Sequence, residues 1–190
     1  MSLVTLPMLR HEMGPVLAGR LEGQRAFVRN LEALPSTTKP LLVALDFGGV
    51  ELATSSFLSE AVVRFRDHLR MGRTPAYLIV ANLSEKVAEE LQYFLARASD
   101  AVLSCDLSPS GETSNEALIG ALDQKLGETF ELVKGKKETS AGELHSESVD
   151  QQKIGPTAWN NRLSTLAAKS LLFEVPLGRA KKYRPLLETA

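Results

Sequence analysis

Between Leu41 and Phe47 the chain reads LLVALDF, an almost unbroken apolar run interrupted only at Asp46. So short and so apolar a run predicts a buried central strand. AYLIVANL from Ala76 and DAVLSCDL from Asp100 share that texture and predict two more strands. Between these runs the period changes. In GRLEGQRAFVRNLEAL, from Gly19, the residues Leu21, Ala26, Phe27, Leu31 and Leu34 fall on one stripe. From Phe57 onward Leu58, Ala61, Val62, Phe65 and Leu69 recur at helical spacing, with Glu60, Arg64 and Asp67 on the other side. Val87, Ala88, Leu91, Phe94, Leu95 and Ala98 form a third such face, preceded by Ser84 as a candidate cap. Strands alternating with helices predict βαβ units and a parallel or mixed sheet. SPSGETSN, from Ser108, reads as a loop, and EALIGALDQKLGETFELV, from Glu116 to Val133, as a further helix.

The texture changes after Val133. KGKKETSAGE, from Lys134, combines glycines with clustered lysines and reads as a linker over 134–140. Ser140 and Glu143 stand at capping-box spacing before a short helix containing Ala141 and Leu144. A polar turn, SESVDQQKIG, leads to Pro156, a residue suited to the first position of a helix. That helix runs to about Ser170, with Trp159, Leu163, Leu166 and Ala167 on its apolar side. LLFEV and RAKKYRPL flank PLG as the arms of a hairpin. The expected division is an α/β domain over 1–133, the linker, and a small helical domain with a hairpin over 141–190.

Charge separates the two parts. Residues 136–190 hold nine Lys/Arg against six Asp/Glu, whereas residues 1–135 hold 13 against 17. The tail is therefore mildly basic within a chain of net charge −1. The one cysteine, Cys105, excludes an internal disulfide, fits a reducing compartment and reads as a buried thiol. No apolar run approaches the roughly 20 residues of a membrane span, and the N-terminus lacks the layout of a secretory signal. A cytoplasmic location is expected, without membrane association. His11, His68 and His145 are far apart, with no second metal-ligating residue at a suitable spacing. His68 lies near a helix end, where a cation meets terminal carbonyls favourably. No nucleophile elbow or phosphate-binding loop is present, and Gly48 and Gly49 read as a turn. No cofactor, metal or catalytic residue is expected.

The segment TSAGELHSES…IGPTAWNNRLSTLAAKSLLFEVPLGRAKKYRPL resembles bacterial winged-helix transcription regulators over about 50 residues. The carrying features are a small residue and Leu in the first helix, Pro-Thr opening the second, a Leu pair closing it, and a Gly-Arg wing tip followed by Tyr. Turning Trp159, Leu163 and Leu166 inward points Thr157, Asn160, Asn161 and Ser164 outward, with Arg162 flanking. Asparagine pairs with adenine and arginine with guanine through two bonds each. Arg179, Lys181 and Lys182, with Arg184 beside them, lie on or near the wing, where cations meet phosphates. Asp and Glu are absent between Gln151 and Phe173. Duplex DNA is the expected partner, read by a homodimer; docking of a protein on the same domain stays open.

LLVALDFGGVELATSSFLSEAVV resembles the STAS superfamily, the fold of bacterial anti-anti-sigma factors, and is closest to a STAS-like branch of unassigned function. Asp46, Phe47, Gly48, Gly49 and Val50 match the first part of the family pattern; Ser55, Ser56 and Leu58 match the second. Thr54 replaces the family's Asp, and Phe57 its Gly. The resemblance implies an α/β fold, a STAS-like sheet of about four strands with helices on one side, followed here by a small winged helix-turn-helix domain. It also implies that Ser56 matches a serine phosphorylated by a partner kinase. The residues themselves leave open whether Ser55 or Ser56 merely caps the helix, a role worth about 1 kcal/mol. Two expectations result: a non-enzymatic regulator that binds DNA, or a protein-interaction module of a partner-switching pathway controlled at Ser56 through a regulatory protein or kinase.

Overall fold

The computed structural model describes residues 1–10, 14–71, 76–147, 154–178 and 180–187. Two compact units divide the chain, Met1–Ala121 and Leu122–Glu188. His11, Arg179 and most of the expected polar turn before Ile154 lie outside the described residues.

The first unit is a mixed α/β layer structure. Strands β1 (Ser2–Pro7), β3 (Leu41–Asp46), β5 (Ala76–Ala81) and β6 (Ala101–Leu107) lie parallel in that order, and β7 (Thr113–Gly120) closes the sheet antiparallel to β6. A second small pair joins β2 (Val16–Leu17) to β4 (Leu52–Ala53). The crossovers are α1 (Arg20–Glu32), a long helical stretch from Ser55 to Met71, and α4 (Glu85–Arg97). The long stretch comprises α2 (Ser55–Leu58), a π-helical segment (Ser59–Arg64) and α3 (Phe65–Met71).

Register aligns Val4, Val43 and Leu78 in one row, and Leu6, Leu45 and Val80 in the next. These residues share one core with Ala26 of α1, Phe57, Ala61 and Phe65 of the long stretch, and Leu91 and Leu95 of α4. One sheet face thus takes all three crossovers, as right-handed connections between successive parallel strands require. Ala44, Tyr77, Ile79, Ala81 and Cys105, on the alternate positions, are buried as well. That double burial is why the strand sequences show no alternation.

Two contacts bring the helices to their positions. Gly23 of α1 faces the long stretch so closely that a Cβ there would lie 2.7 Å from the Phe57 carbonyl oxygen. Arg66 of α3, only 3% exposed, reaches the start of β6. Its Nη2 donates to Asp100 Oδ2 at 2.8 Å and its Nη1 to Asp100 Oδ1 and the Ala101 carbonyl, both at 3.2 Å. Burial alone would lower the guanidinium pKa, but the bonds and charges of Asp100 and Asp67 outweigh it and raise it.

The second unit comprises α5 (Gln124–Lys136), α6 (Ala141–Glu147), α7 (Pro156–Ala168) and a hairpin of β8 (Leu172–Leu177) and β9 (Ala180–Pro185). Asp123 caps α5, accepting from the Leu126 amide at 3.0 Å, and Leu126, Phe130 and Val133 form its buried side. α5 packs against α7 and β9. Between α5 and α6, Thr139 bridges to Tyr183 through reciprocal backbone bonds of 2.9 and 2.7 Å.

Three expectations change. The helix expected over Glu116–Val133 is strand up to Gly120 and helix only from Gln124. Ala117 and Leu118 are good helix formers in isolation, yet they pair with Ser104 and Leu103, and the β-branched Ile119 pairs with Val102. Gly120, at φ +104°, then turns the chain, and its backbone N–H and C=O are both taken by the Gln92 side chain of α4. SPSGETSN is loop only as far as Glu112; Thr113–Asn115 belong to β7. The segment expected as a linker over 134–140 is the last turn of α5 followed by the Thr139 bridge, so the chain divides before α5 rather than after it. The first 17 residues, for which the sequence predicts no element, supply β1 and β2.

Replacing Asp100 by alanine removes the buried partner of the Arg66 guanidinium, leaving it the exposed Asp67 carboxylate, and should cost up to about 3–5 kcal/mol. Urea unfolding followed by circular dichroism measures this, and removal of both partners together (Arg66→Met with Asp100→Leu) should cost less. Gly23→Ala should also destabilise, by about 1–3 kcal/mol of overpacking, although alanine is the better helix former by about 1 kcal/mol.

Candidate functional site

Helix α7 opens with Pro156 at its first turn and follows Gly155 without a side-chain cap. Its apolar stripe, Trp159, Leu163, Leu166 and Ala167, is buried. Thr157, Asn160 and Asn161 are exposed on the opposite side, as the periodicity predicts. Ser164 lies on the same stripe but is half-buried, its hydroxyl 3.2 Å from the Tyr183 hydroxyl. It faces the hairpin, so the polar face that stays exposed runs along Thr157, Asn161 and Thr165, with Asn160 beside it. Arg162 is half-buried, its guanidinium 5.1 Å from the Trp159 ring centroid.

The hairpin cations are engaged within the unit. Lys181 Nζ lies 3.0 Å from Glu174 Oε1. Lys182 Nζ lies 3.1 Å from Glu138 Oε1 and 3.8 Å from Glu143 Oε1. The bond to Glu138, followed by the charges of Glu143 and Glu138, raises the Lys182 pKa. Glu143 completes the expected capping box: its Oε2 accepts from the Ser140 amide at 2.7 Å, and its own amide donates to Ser140 Oγ at 3.2 Å. Burial pushes the Glu143 carboxyl up; the Ser140 bonds and Lys182 outweigh this and leave it below its ordinary value. Arg184 is exposed, stacked 4.9 Å from the Phe173 ring centroid.

In the first unit the cap of the long helical stretch is Thr54, not Ser55 or Ser56. Thr54 Oγ1 accepts from the Phe57 amide at 3.4 Å and from the Gly19 amide, just before α1, at 3.1 Å. Ser55 follows it, and both its amide (3.0 Å) and its hydroxyl bond to Glu90 Oε1 of α4. Ser56 is exposed, its hydroxyl 3.1 Å from that of Thr54. Capping fell to the earliest hydroxyl because helical geometry begins at Ser55.

Sequence reasoning missed Asn82, which follows β5 at φ +55°. Its Nδ2 donates to Asp46 Oδ1 at 2.8 Å and to the Leu107 carbonyl at 3.2 Å, while its Oδ1 accepts from the Leu107 amide at 2.8 Å. Asp46 Oδ1 also accepts from the Gly48 amide at 2.9 Å, and Gly49, at φ +79°, completes the turn expected there. An Asn directly after an apolar run, a residue that tolerates left-handed backbone, was the legible hint. These bonds tie the ends of β3, β5 and β6 together. Among the described residues the parallel strands follow sequence order without a reversal.

His68 packs edge-on against Phe27 at 5.4 Å, and His145 Nδ1 lies 3.0 Å from the Ile154 carbonyl oxygen. Among the described residues no three His, Cys, Asp or Glu side chains gather as a metal site, and no helix is long and apolar enough to cross a membrane. Cys105 is buried, and burial, reinforced by Glu116 and Asp106, pushes its thiol pKa up to about 11.

Thr54→Ala removes the cap and should lower stability by about 1–2 kcal/mol. Ser56→Ala should change it by no more than about 0.5 kcal/mol; denaturant midpoints of the two variants decide.

Set beside protein-family models, curated proteins and solved structures, the chain matches none of them.

Proposed function

We propose that the chain is a non-enzymatic regulator: its Leu122–Glu188 unit is a winged helix that binds duplex DNA, and its Met1–Ala121 unit is a STAS-like sensing or docking domain. The observation that carries this reading is α7. It buries its apolar stripe and exposes Thr157, Asn160 and Asn161, in a stretch from Gln151 to Phe173 that contains no carboxylate. A major groove admits such a helix, and amide side chains at its start reach adenine edges. The order of elements supports the same reading: α5, a bridge residue at Thr139, α6, α7, then a hairpin. Arg162 and Arg184 are the described cations without a carboxylate bonded to them in this unit's hydrogen-bond and ion-pair network that best suit phosphate contact.

A second reading is favoured by a specific observation. Lys181 and Lys182 are already paired with acids, which suits a surface that docks protein. Under that reading the exposed Ser56 hydroxyl is the switch of a partner-switching module, and a dianion there would change the surface around Thr54 and Glu90.

Selection of bound sites from random duplex DNA by the full chain tests the proposal. An enriched site is expected, with log affinity falling linearly in log salt by about 0.9 per phosphate contact. Asn160→Ala or Asn161→Ala should each cost about 1–3 kcal/mol on that site. If no sequence is enriched and phosphopeptide mapping of native protein finds phosphate on Ser56, the second reading replaces the first.

A further inference from the structure

We propose that Glu138 is an internal competitor for DNA, its carboxylate holding in the free chain the Lys182 ammonium that a backbone phosphate takes in the complex. The inference rests on the DNA reading and adds a device that limits it. Its basis is the ladder formed where Thr139 pairs antiparallel with Tyr183. Thr139 and Tyr183 are both buried, at 1% and 0% exposure, so their side chains occupy the inner face of that ladder. Side chains alternate along a strand. Glu138 on one side, and Lys182 and Arg184 on the other, therefore share the outer face. There Glu138 Oε1 sits 3.1 Å from Lys182 Nζ, with Glu143 Oε1 at 3.8 Å. Glu143 is committed elsewhere, because its other oxygen caps α6 at Ser140. Glu138 has no second role among these bonds, and its side chain is 44% exposed. An acid on the face that would meet phosphate repels the polyanion and neutralises a cation at once. Both effects lower affinity, and replacing the carboxylate by an amide removes the contribution of Glu138 to each, leaving Lys182 only the more distant Glu143 oxygen, at 3.8 Å.

The test uses the full chain and the duplex site obtained by selection, with affinity measured by fluorescence anisotropy across a salt series. Glu138→Gln should bind more tightly than wild type, by up to about eightfold near 0.1 M salt, and its log–log salt slope should steepen by about 0.9, the signature of one added phosphate contact. Adding Lys182→Gln to Glu138→Gln should cancel the gain. Thermal melts of each variant establish that the fold persists. Wild type that binds the site while Glu138→Gln leaves affinity and slope unchanged overturns the inference and leaves the DNA reading intact. A gain that survives Lys182→Gln overturns it too, since Lys182 would then not be the group released. Wild type that binds no duplex at any salt removes the DNA reading itself and this device with it.

Discussion

The first unit depends on one constraint: a single layer of helices must cover the face of a parallel sheet whose strands run in sequence order. Right-handed crossovers place α1, the Ser55–Met71 stretch and α4 on that face together. Side by side over β1, β3, β5 and β6, they must approach one another closely. Gly23 provides the approach between α1 and the long stretch, where even a methyl group would meet the Phe57 carbonyl. The π-helical turn over Ser59–Arg64 lies in that contact, with Glu60 of the turn nearly buried and its carboxylate held by Arg64 at 2.7 Å and Arg20 at 3.6 Å. Arg66 then fastens the far end of the stretch to β6 through Asp100. A buried ion pair of this kind adds little net stability relative to apolar groups of the same shape, but it penalises any arrangement that leaves one partner alone.

Tyr183 plays the corresponding part in the second unit. It is fully buried, its backbone pairs with Thr139, and its hydroxyl meets Ser164 of α7. One residue thus connects the hairpin to the α5–α6 connection and to the helix that carries the candidate interface. The consequence for that interface is geometric. With Ser164 turned to Tyr183, the exposed polar face of α7 comprises Thr157, Asn160, Asn161 and Thr165, the first three at the end of the helix that a groove admits first.

Electrostatics distinguishes this unit from a simple basic patch. Lys181 and Lys182 each have an acid within ion-pair distance, so the surplus of cations counted along the tail overstates the charge offered to a partner. Exposed ion pairs are worth about 0–1 kcal/mol and yield readily to a better anion. The same contacts that weaken the patch in the free chain are therefore easily exchanged, which is what a tunable, salt-sensitive interface requires.

Much of the architecture was legible from local pattern. The apolar runs at Leu41, Ala76 and Ala101 are strands whose successive side chains are nearly all buried, and the 3.6-residue stripes of α4 and α7 mark their buried sides; that of α1 does not, because Leu21 and Leu31 are exposed while Gly23, Ala26 and Asn30 face inward. The capping box at Ser140 and Glu143 and the proline opening α7 were equally plain, since each satisfies backbone groups within a few residues. Tertiary structure decided what depends on distant partners. Ala117 to Ile119 became a strand because β6 offered an edge to pair with, against the helical preference of Ala117 and Leu118. Thr54, besides capping its own helix, also holds the amide of Gly19, which arrives from 35 residues away. Ser164 was drawn inward by Tyr183, and Lys182 was engaged by Glu138 on the outer face, contacts invisible to any helical wheel. Local periodicity dictates which side of an element is apolar; only the folded chain dictates which of its polar groups remain unspent.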